Sequence, residues 1–185
     1  MNEVEAIRTS DEIAAVTALL TKRGQHFADI WKFGINVALR ISDLLDVKYE
    51  DFDLVRRELT LREGKTGKLR TIRLNNAALY IIMRRREENP NDVYLFQSKS
   101  NRARSRNKPL TRCSVARTFK QVGDQLNIKM NTHSMRKTRG YMMHQAGVSL
   151  EQIARVLNHS SPSVSMAYIG LTKEMTLKTY EDFEL

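Results

Sequence analysis

Apolar residues recur at helical spacing through most of the chain, with one stretch where the period changes. Thr9-Ser10-Asp11-Glu12 supplies small polar caps and first-turn acids, and Ile13, Val16, Leu19 and Leu20 follow on one face. This predicts a helix closed at Gly24. A second helix, apolar nearly all round, is predicted from about His26 to Leu39 through Phe27, Ile30, Trp31, Phe33, Ile35, Val37 and Ala38. Such a helix is largely buried, and it delivers Arg40 at its end. Ser42 is then expected to cap a short helix through Leu45. From Val47 to Arg73 the pattern alternates. Glu58-Leu59-Thr60-Leu61 and Leu69 to Leu74 read as strands around the glycine-flanked turn Glu63-Gly64-Lys65-Thr66-Gly67, so a small antiparallel sheet should carry Lys65 at a hairpin tip.

Helical spacing then returns. Asn75 or Asn76 caps a helix to about Glu88, and Asn89-Pro90-Asn91 breaks it. Residues from Ser98 to Lys108 have no apolar period and read as a basic loop that orders on a polyanion. Further helices are expected from Arg112 to Leu126, from His133 to Ala146 with Thr132 as cap and Gly147 as stop, and from Ser149 through Leu157. Ser161-Pro162 opens a helix bearing Tyr168, with proline in the first turn where its missing N–H costs little. A last helix is expected over 174–183. The fold class is therefore mainly α with a small antiparallel β-sheet.

At 185 residues the chain has the size of a single domain, and 41% hydrophobic with 28% charged residues suits a globular protein. No run approaches membrane-spanning length, and Met1 to Glu5 lacks the pattern of a signal peptide. The single cysteine, Cys113, excludes an intramolecular disulfide and any cysteine-based zinc site. A bacterial or phage-encoded cytoplasmic protein is the simplest reading.

The net charge is +10, and its distribution is uneven. From Val93 to Leu150 the sole acid is Asp124, whereas the same stretch holds Lys99, Arg102, Arg104, Arg106, Lys108, Arg112, Arg117, Lys120, Lys129, Arg136, Lys137 and Arg139. A basic surface need not bind anything. Beside the chemistry below, however, it points to double-stranded DNA, because each neutralised phosphate releases condensed counterions. Lys99, Arg102, Arg104, Arg106, Lys108, Arg112, Lys137 and Arg139 are the candidate DNA contacts.

Breaking a phosphodiester requires charge stabilisation at the non-bridging oxygens, a nucleophile, and an acid for the leaving oxygen. No clustered Asp/Glu signature for a metal appears in the sequence, and no cofactor is expected. Two guanidiniums can take the metal's place, since each is a planar fork of donors matched to phosphate. Arg40 and Arg136 are the candidates. Arg40 alone would read as a surface arginine at a helix end, but Asp43 follows and can orient it. His133 and Arg136 are three apart at a helix start and share one face near the N-terminal amides, which also disfavour an imidazolium. His133 alone would read as a cap. His159 precedes a Ser-Ser-Pro turn, and Tyr168 follows nine residues later.

The ordered series Arg40, Lys65-Thr66-Gly67, His133-Ser134-Met135-Arg136, His159 and Tyr168 resembles the tyrosine recombinases, also called phage-type integrases, over roughly Ser10 to Tyr168. The resemblance implies a DNA breaking-rejoining catalytic domain with Arg40, Lys65, His133, Arg136, His159 and Tyr168 catalytic and Asp43 supporting Arg40. Tyr168 would be the nucleophile, forming a 3′-phosphotyrosyl link and a free 5′ hydroxyl. Lys65 would protonate that hydroxyl, with Lys68 as competitor. His159 would bond a non-bridging oxygen and help place Tyr168. A homotetramer on DNA, accessory DNA-bending proteins and a C-terminal exchange segment at 174–185 are also implied.

Three departures stand out. Met135-Arg136-Lys137-Thr138-Arg139 replaces the common Leu-Arg-His-Thr-Phe, and Leu157-Asn158-His159 replaces Leu-Gly-His. No separate N-terminal core-binding domain is visible, which fits either a fragment or a short member such as some DNA invertases. The expected outcome is site-specific integration, excision or inversion. The alternatives are a type IB topoisomerase-like enzyme, a catalytically silent DNA-binding regulator with the same fold, and a basic RNA-binding protein. His133 argues against the topoisomerase, where lysine is usual, and the intact set argues against the regulator.

Overall fold

Helix α1, Ser10–Arg23, starts at the cap its sequence predicts. Thr9 Oγ1 accepts from the Glu12 amide at 3.1 Å, and Glu12 Oε2 accepts from the Thr9 amide at 3.1 Å. In the computed structural model, residues 4–100, 107–171, 177 and 180–182 are described. Gly24, with φ of 145°, separates α1 from α2, Gln25–Val37. Only glycine takes that angle without strain, so one residue turns the chain between two packed helices.

Helix α2 is the centre of the main core. Trp31 and Phe33 are fully buried, and their rings meet Phe119 and Phe96 edge-on with centroids 5.9 Å apart in each case. A Cβ on Gly34 would lie 2.2 Å from Met135 Sδ. The missing side chain is what lets α6, Ser134–Gln145, press against α2, and Arg136 follows Met135 directly. Ala38 then ends α2 in the left-handed region at φ 52°, and Arg40 opens α3, Ile41–Leu45.

The sheet has order β1-β2-β3, all antiparallel: Phe52–Asp53, Glu58–Arg62 and Leu69–Arg73. Leu59 pairs with Ile72 and Thr60 with Thr71. The β2–β3 hairpin was predicted. Strand β1, two residues long, was not, because two residues show no period. Helices α4 (Asn76–Glu88), α5 (Arg112–Leu126), α7 (Leu150–Leu157) and α8 (Pro162–Tyr168) follow, with Asn75, Thr111, Ser149 and Ser161 each accepting from a first-turn amide. A second, smaller core joins Ala38, Ile153, Leu157 and Ile169 beneath α6 to α8. A Cβ on Gly140 would meet Ile169 at 2.6 Å, so this glycine admits the residue that follows Tyr168.

Two caps differ from expectation. Ser42 lies inside α3, and Arg40 holds the N-cap position with extended backbone. Thr132 does not cap α6; it is buried, and His133 occupies that position without a side-chain cap. Asn131 and Ser134 do the local work instead, accepting from the His133 amide at 2.6 Å and the Asn131 amide at 3.1 Å. Of the helix expected over 174–183, only 177 and 180–182 fall among the described residues, and 101–106 of the basic loop lie outside them.

Asp29, on the buried face of α2, ion-pairs with both Arg84 and Arg85, and Arg85 Nε also donates to the Leu95 carbonyl at 2.8 Å. Asp29→Ala would strand the buried Arg85 charge. We expect a loss of about 3–5 kcal/mol in urea unfolding; a loss below about 1 kcal/mol, the surface-pair range, would show the pair to be dispensable.

Candidate active site

Five of the six residues predicted to be catalytic converge where α3, α6, α7 and α8 meet. Tyr168, the last residue of α8, places Oη 3.4 Å from His133 Nδ1, and its ring stands edge-on to His159 with centroids 4.7 Å apart. That oxygen–nitrogen separation is long for a hydrogen bond. The charges of Arg136 and Arg40 both reach Tyr168 and His159.

Arg136 explains how the cluster is held. Its side chain is almost wholly buried, and its two terminal nitrogens donate to the Ala38 and Leu157 carbonyls. Ala38 is at the corner before Arg40, and Leu157 ends the helix before His159. One guanidinium therefore ties both corners together. A guanidinium has five N–H donors, so others remain for a phosphate.

The histidines are set neutral. Partial burial lowers the His133 pKa, and Arg136, Arg112, Lys137 and Arg40 lower it further. His159 is pushed down to about 4 by burial and then by Arg136 and Arg40, with its Nδ1 3.0 Å from the buried Ser165 hydroxyl. For Tyr168, burial raises the pKa and outweighs the opposing pull of Arg136 and Arg40. Tyr168 is thus a phenol facing a neutral imidazole.

The sign of the His159 shift gives a prediction. A folded-state pKa below the ordinary 6.5 means the folded protein binds fewer protons than the unfolded one. The contribution is fully present above pH 6.5 and is lost as pH falls toward 4. Wild-type Tm should therefore fall relative to His159→Asn across that window; parallel curves would refute it.

Lys65 lies on the exposed turn between β2 and β3, and among the described residues no hydrogen bond or ion pair ties it to the other five. The turn itself is anchored by Glu63, which the sequence did not single out. Its side chain has no exposed surface and accepts from Arg40 at 3.0 Å, Arg70 at 2.8 Å, Thr66 at 3.1 Å, and Asn158. Burial alone would raise its pKa, but the bonds from Arg70 and Asn158 and the Arg70 charge outweigh it and hold the carboxylate at about 2. The expectation that Asp43 orients Arg40 is corrected: Asp43 Oδ1 accepts from the Gly64 amide at 3.0 Å, and Glu63 pairs with Arg40. Asp43 supports the turn.

The candidate DNA contacts divide. Lys108 and Arg112 are exposed. Lys99 is exposed but pairs with Asp92. Lys137 is corrected: it is buried, with Nζ 5.4 Å from the Tyr168 ring centroid. Arg139 is also corrected, being half-buried with an Nε that has no hydrogen-bond partner; it lines a cavity of about 420 Å³ with Arg70, Arg155 and Asn158. Arg102, Arg104 and Arg106 lie outside the described residues.

Residues 7–175 match the Phage integrase family. The chain belongs to that family. It is 32% identical over 184 residues to the probable integrase/recombinase YoeC of Bacillus subtilis, covering 99% of this chain and 98% of YoeC. It is 32% identical over 138 residues to the tyrosine recombinase XerA of Pyrococcus furiosus, covering 72% of this chain and 46% of XerA. It thus spans nearly all of YoeC and about half of XerA. Among solved structures, XerA recombinase superposes with a TM-score of 0.74 at 17% identity, over 98% of this chain and 65% of that one. A lambda integrase dimer bound to a COC′ core site gives 0.71 at 16%, over 93% and 51%. The mainly helical fold with its small antiparallel sheet is that of tyrosine recombinase catalytic domains, as the order of motifs implied.

Proposed function

We propose that this tyrosine recombinase cleaves and rejoins DNA at specific sites through a covalent bond between Tyr168 and a 3′ phosphate. The observation that carries the reading is the Tyr168 phenol 3.4 Å from a neutral His133, with two arginine charges bearing on it. His133 Nδ1 takes the phenol proton as Oη attacks phosphorus. Arg40 and Arg136 stabilise the charge on the non-bridging oxygens. The P–O5′ bond breaks, and the 5′ oxygen leaves with a proton from Lys65 on the β2–β3 turn. The phosphotyrosyl link conserves the bond, so a 5′ hydroxyl can attack it in reverse and regenerate the phenol.

Exposed Arg112, whose charge reaches His133, borders this site, and the strongly basic stretch around it supplies the non-specific part of DNA affinity. The whole chain, 1–185, acts as one catalytic domain in this reading, in the cytoplasm of a bacterium or phage-infected cell. It assembles as a tetramer on two DNA sites, with residues 174–185 exchanged between subunits and DNA-bending proteins as candidate accessories. The silent-regulator alternative conserves none of the need for His133 beside Tyr168.

The test uses nicked duplexes carrying sites from sequence flanking the gene, with EDTA present. The expected result is a denaturant-resistant adduct whose nucleotide maps to the peptide holding Tyr168. Tight, salt-sensitive binding with no adduct across the flanking sites would favour the regulator.

A further inference from the structure

We propose that Glu63 is a positioning residue for strand cleavage, holding Arg40, the Lys65 turn and the His159 loop in one arrangement. The inference rests on the Tyr168 reading above. Its basis is that three separate parts of the site end on one buried carboxylate.

The first is Arg40. Glu63 Oε2, 3.0 Å from Nη1, is its one side-chain partner among the described residues, and the Arg40 side chain keeps 19% of its surface exposed. Without that bond a long cation at a helix corner is free to turn outward. The second is the Lys65 turn. The Glu63 carbonyl accepts from the Gly67 amide at 2.8 Å, its amide donates to the Lys68 carbonyl at 3.0 Å, and its side chain accepts from Thr66. Residues on both sides of Lys65 are thereby fastened to Glu63. The third is the His159 loop. Asn158 donates to Glu63 Oε2, and Arg70, bound to Glu63 Oε1, donates onward to the Val156 carbonyl.

Asn158 also accounts for a departure noted in the sequence. It ends α7 in the left-handed region at φ 50° and ψ 50°, where glycine is usual and asparagine is the best-tolerated alternative. Glycine would meet the backbone requirement alone. Asparagine meets it and adds the donor that reaches Glu63.

A carboxylate is the group this site requires. It accepts at both oxygens, and its charge separates the guanidiniums of Arg40 and Arg70. Glutamine has the same shape but must turn an NH₂ toward one of those cations. Glu63→Gln should therefore disturb the geometry of the reacting groups while keeping the volume.

The experiment measures single-turnover cleavage of three nicked duplexes by wild type and Glu63→Gln. One has the ordinary phosphodiester. One has a neutral methylphosphonate at the scissile position, which removes the charge Arg40 must meet. One has a bridging 5′ phosphorothiolate, whose thiolate leaves without the proton Lys65 would give. On the phosphodiester we expect cleavage to fall about 10²-fold, the cost of misplacing one transition-state donor, with DNA affinity unchanged. The defect should shrink on both modified substrates. An equal defect on all three would mean a merely structural role and overturn the proposal, as would unimpaired cleavage by Glu63→Gln. If that variant does not fold, Asn158→Gly keeps the backbone and removes one donor; it should show a smaller defect with the same substrate dependence, and its absence would overturn the proposal. Failure of wild type to form any adduct would instead strike the Tyr168 reading.

Discussion

Tyr168→Phe should fold, bind DNA as tightly as wild type, and form no covalent adduct. The ring carries the packing: its edge contact with His159 at 4.7 Å and its place under the Lys137 ammonium at 5.4 Å survive the substitution. What goes is one oxygen, whose contact with His133 is long at 3.4 Å and which also accepts from the Arg136 guanidinium. The stability change should therefore stay within about 1 kcal/mol, the scale of a modest hydrogen bond. The chemical change is complete, because no other hydroxyl replaces the nucleophile. Tyr141 packs against the second core with Arg8 over its ring, and among the described residues no hydrogen bond ties it to His133. Gel-shift titration and denaturing electrophoresis on the same nicked duplex separate the two effects. An adduct that persists in Tyr168→Phe would move the nucleophile elsewhere.

Five of the six residues that the sequence singles out as catalytic candidates come together in the fold, and the helices that carry them were legible too. Thr9, Ser149 and Ser161 cap where local chemistry placed them, and of Asn75 and Asn76 it is Asn75 that caps. Such signals are local, and a helix start needs only three or four neighbouring residues to declare itself. The corners were not legible. An alanine with φ of 52° before Arg40 has no sequence signature, and it exists because Arg136 bonds the Ala38 carbonyl from 98 positions away. Glu63 was missed for the same reason. Its partners lie 7, 23 and 95 positions off, and a glutamate beside a hairpin turn reads as solvated.

Charge was overread in α6. Lys137 and Arg139 read as DNA contacts in the sequence, yet residues 134–138 are all buried and Arg139 is half-buried, since Gly34 and Met135 pull the start of this helix into the main core. A count of cations measures net charge, whereas the binding face depends on which of them remain at the surface. Lys137 lies over the Tyr168 ring, which makes its charge part of the site's electrostatics.

Arg136→Lys should cost both cleavage and stability, and the two losses have one cause. The guanidinium bonds two carbonyls, Ala38 and Leu157, that belong to the corners presenting Arg40 and His159. Lysine has a single nitrogen and satisfies at most one of them from the same backbone position. The other becomes a buried acceptor without a donor, a loss of about 1.5–3 kcal/mol for a bond to a charged group. The planar fork for phosphate goes with it, and the two corners are no longer held at a fixed separation. Losing one preorganised donor costs roughly 10²–10³ in rate, so with the corners also loosened we expect a fall near or beyond about 10³-fold in single-turnover cleavage. Urea unfolding and cleavage below the unfolding range measure the two separately. Retention of cleavage within about tenfold, at a stability loss of this size, would show that Arg136 only braces the corners and that the phosphate is held by Arg40.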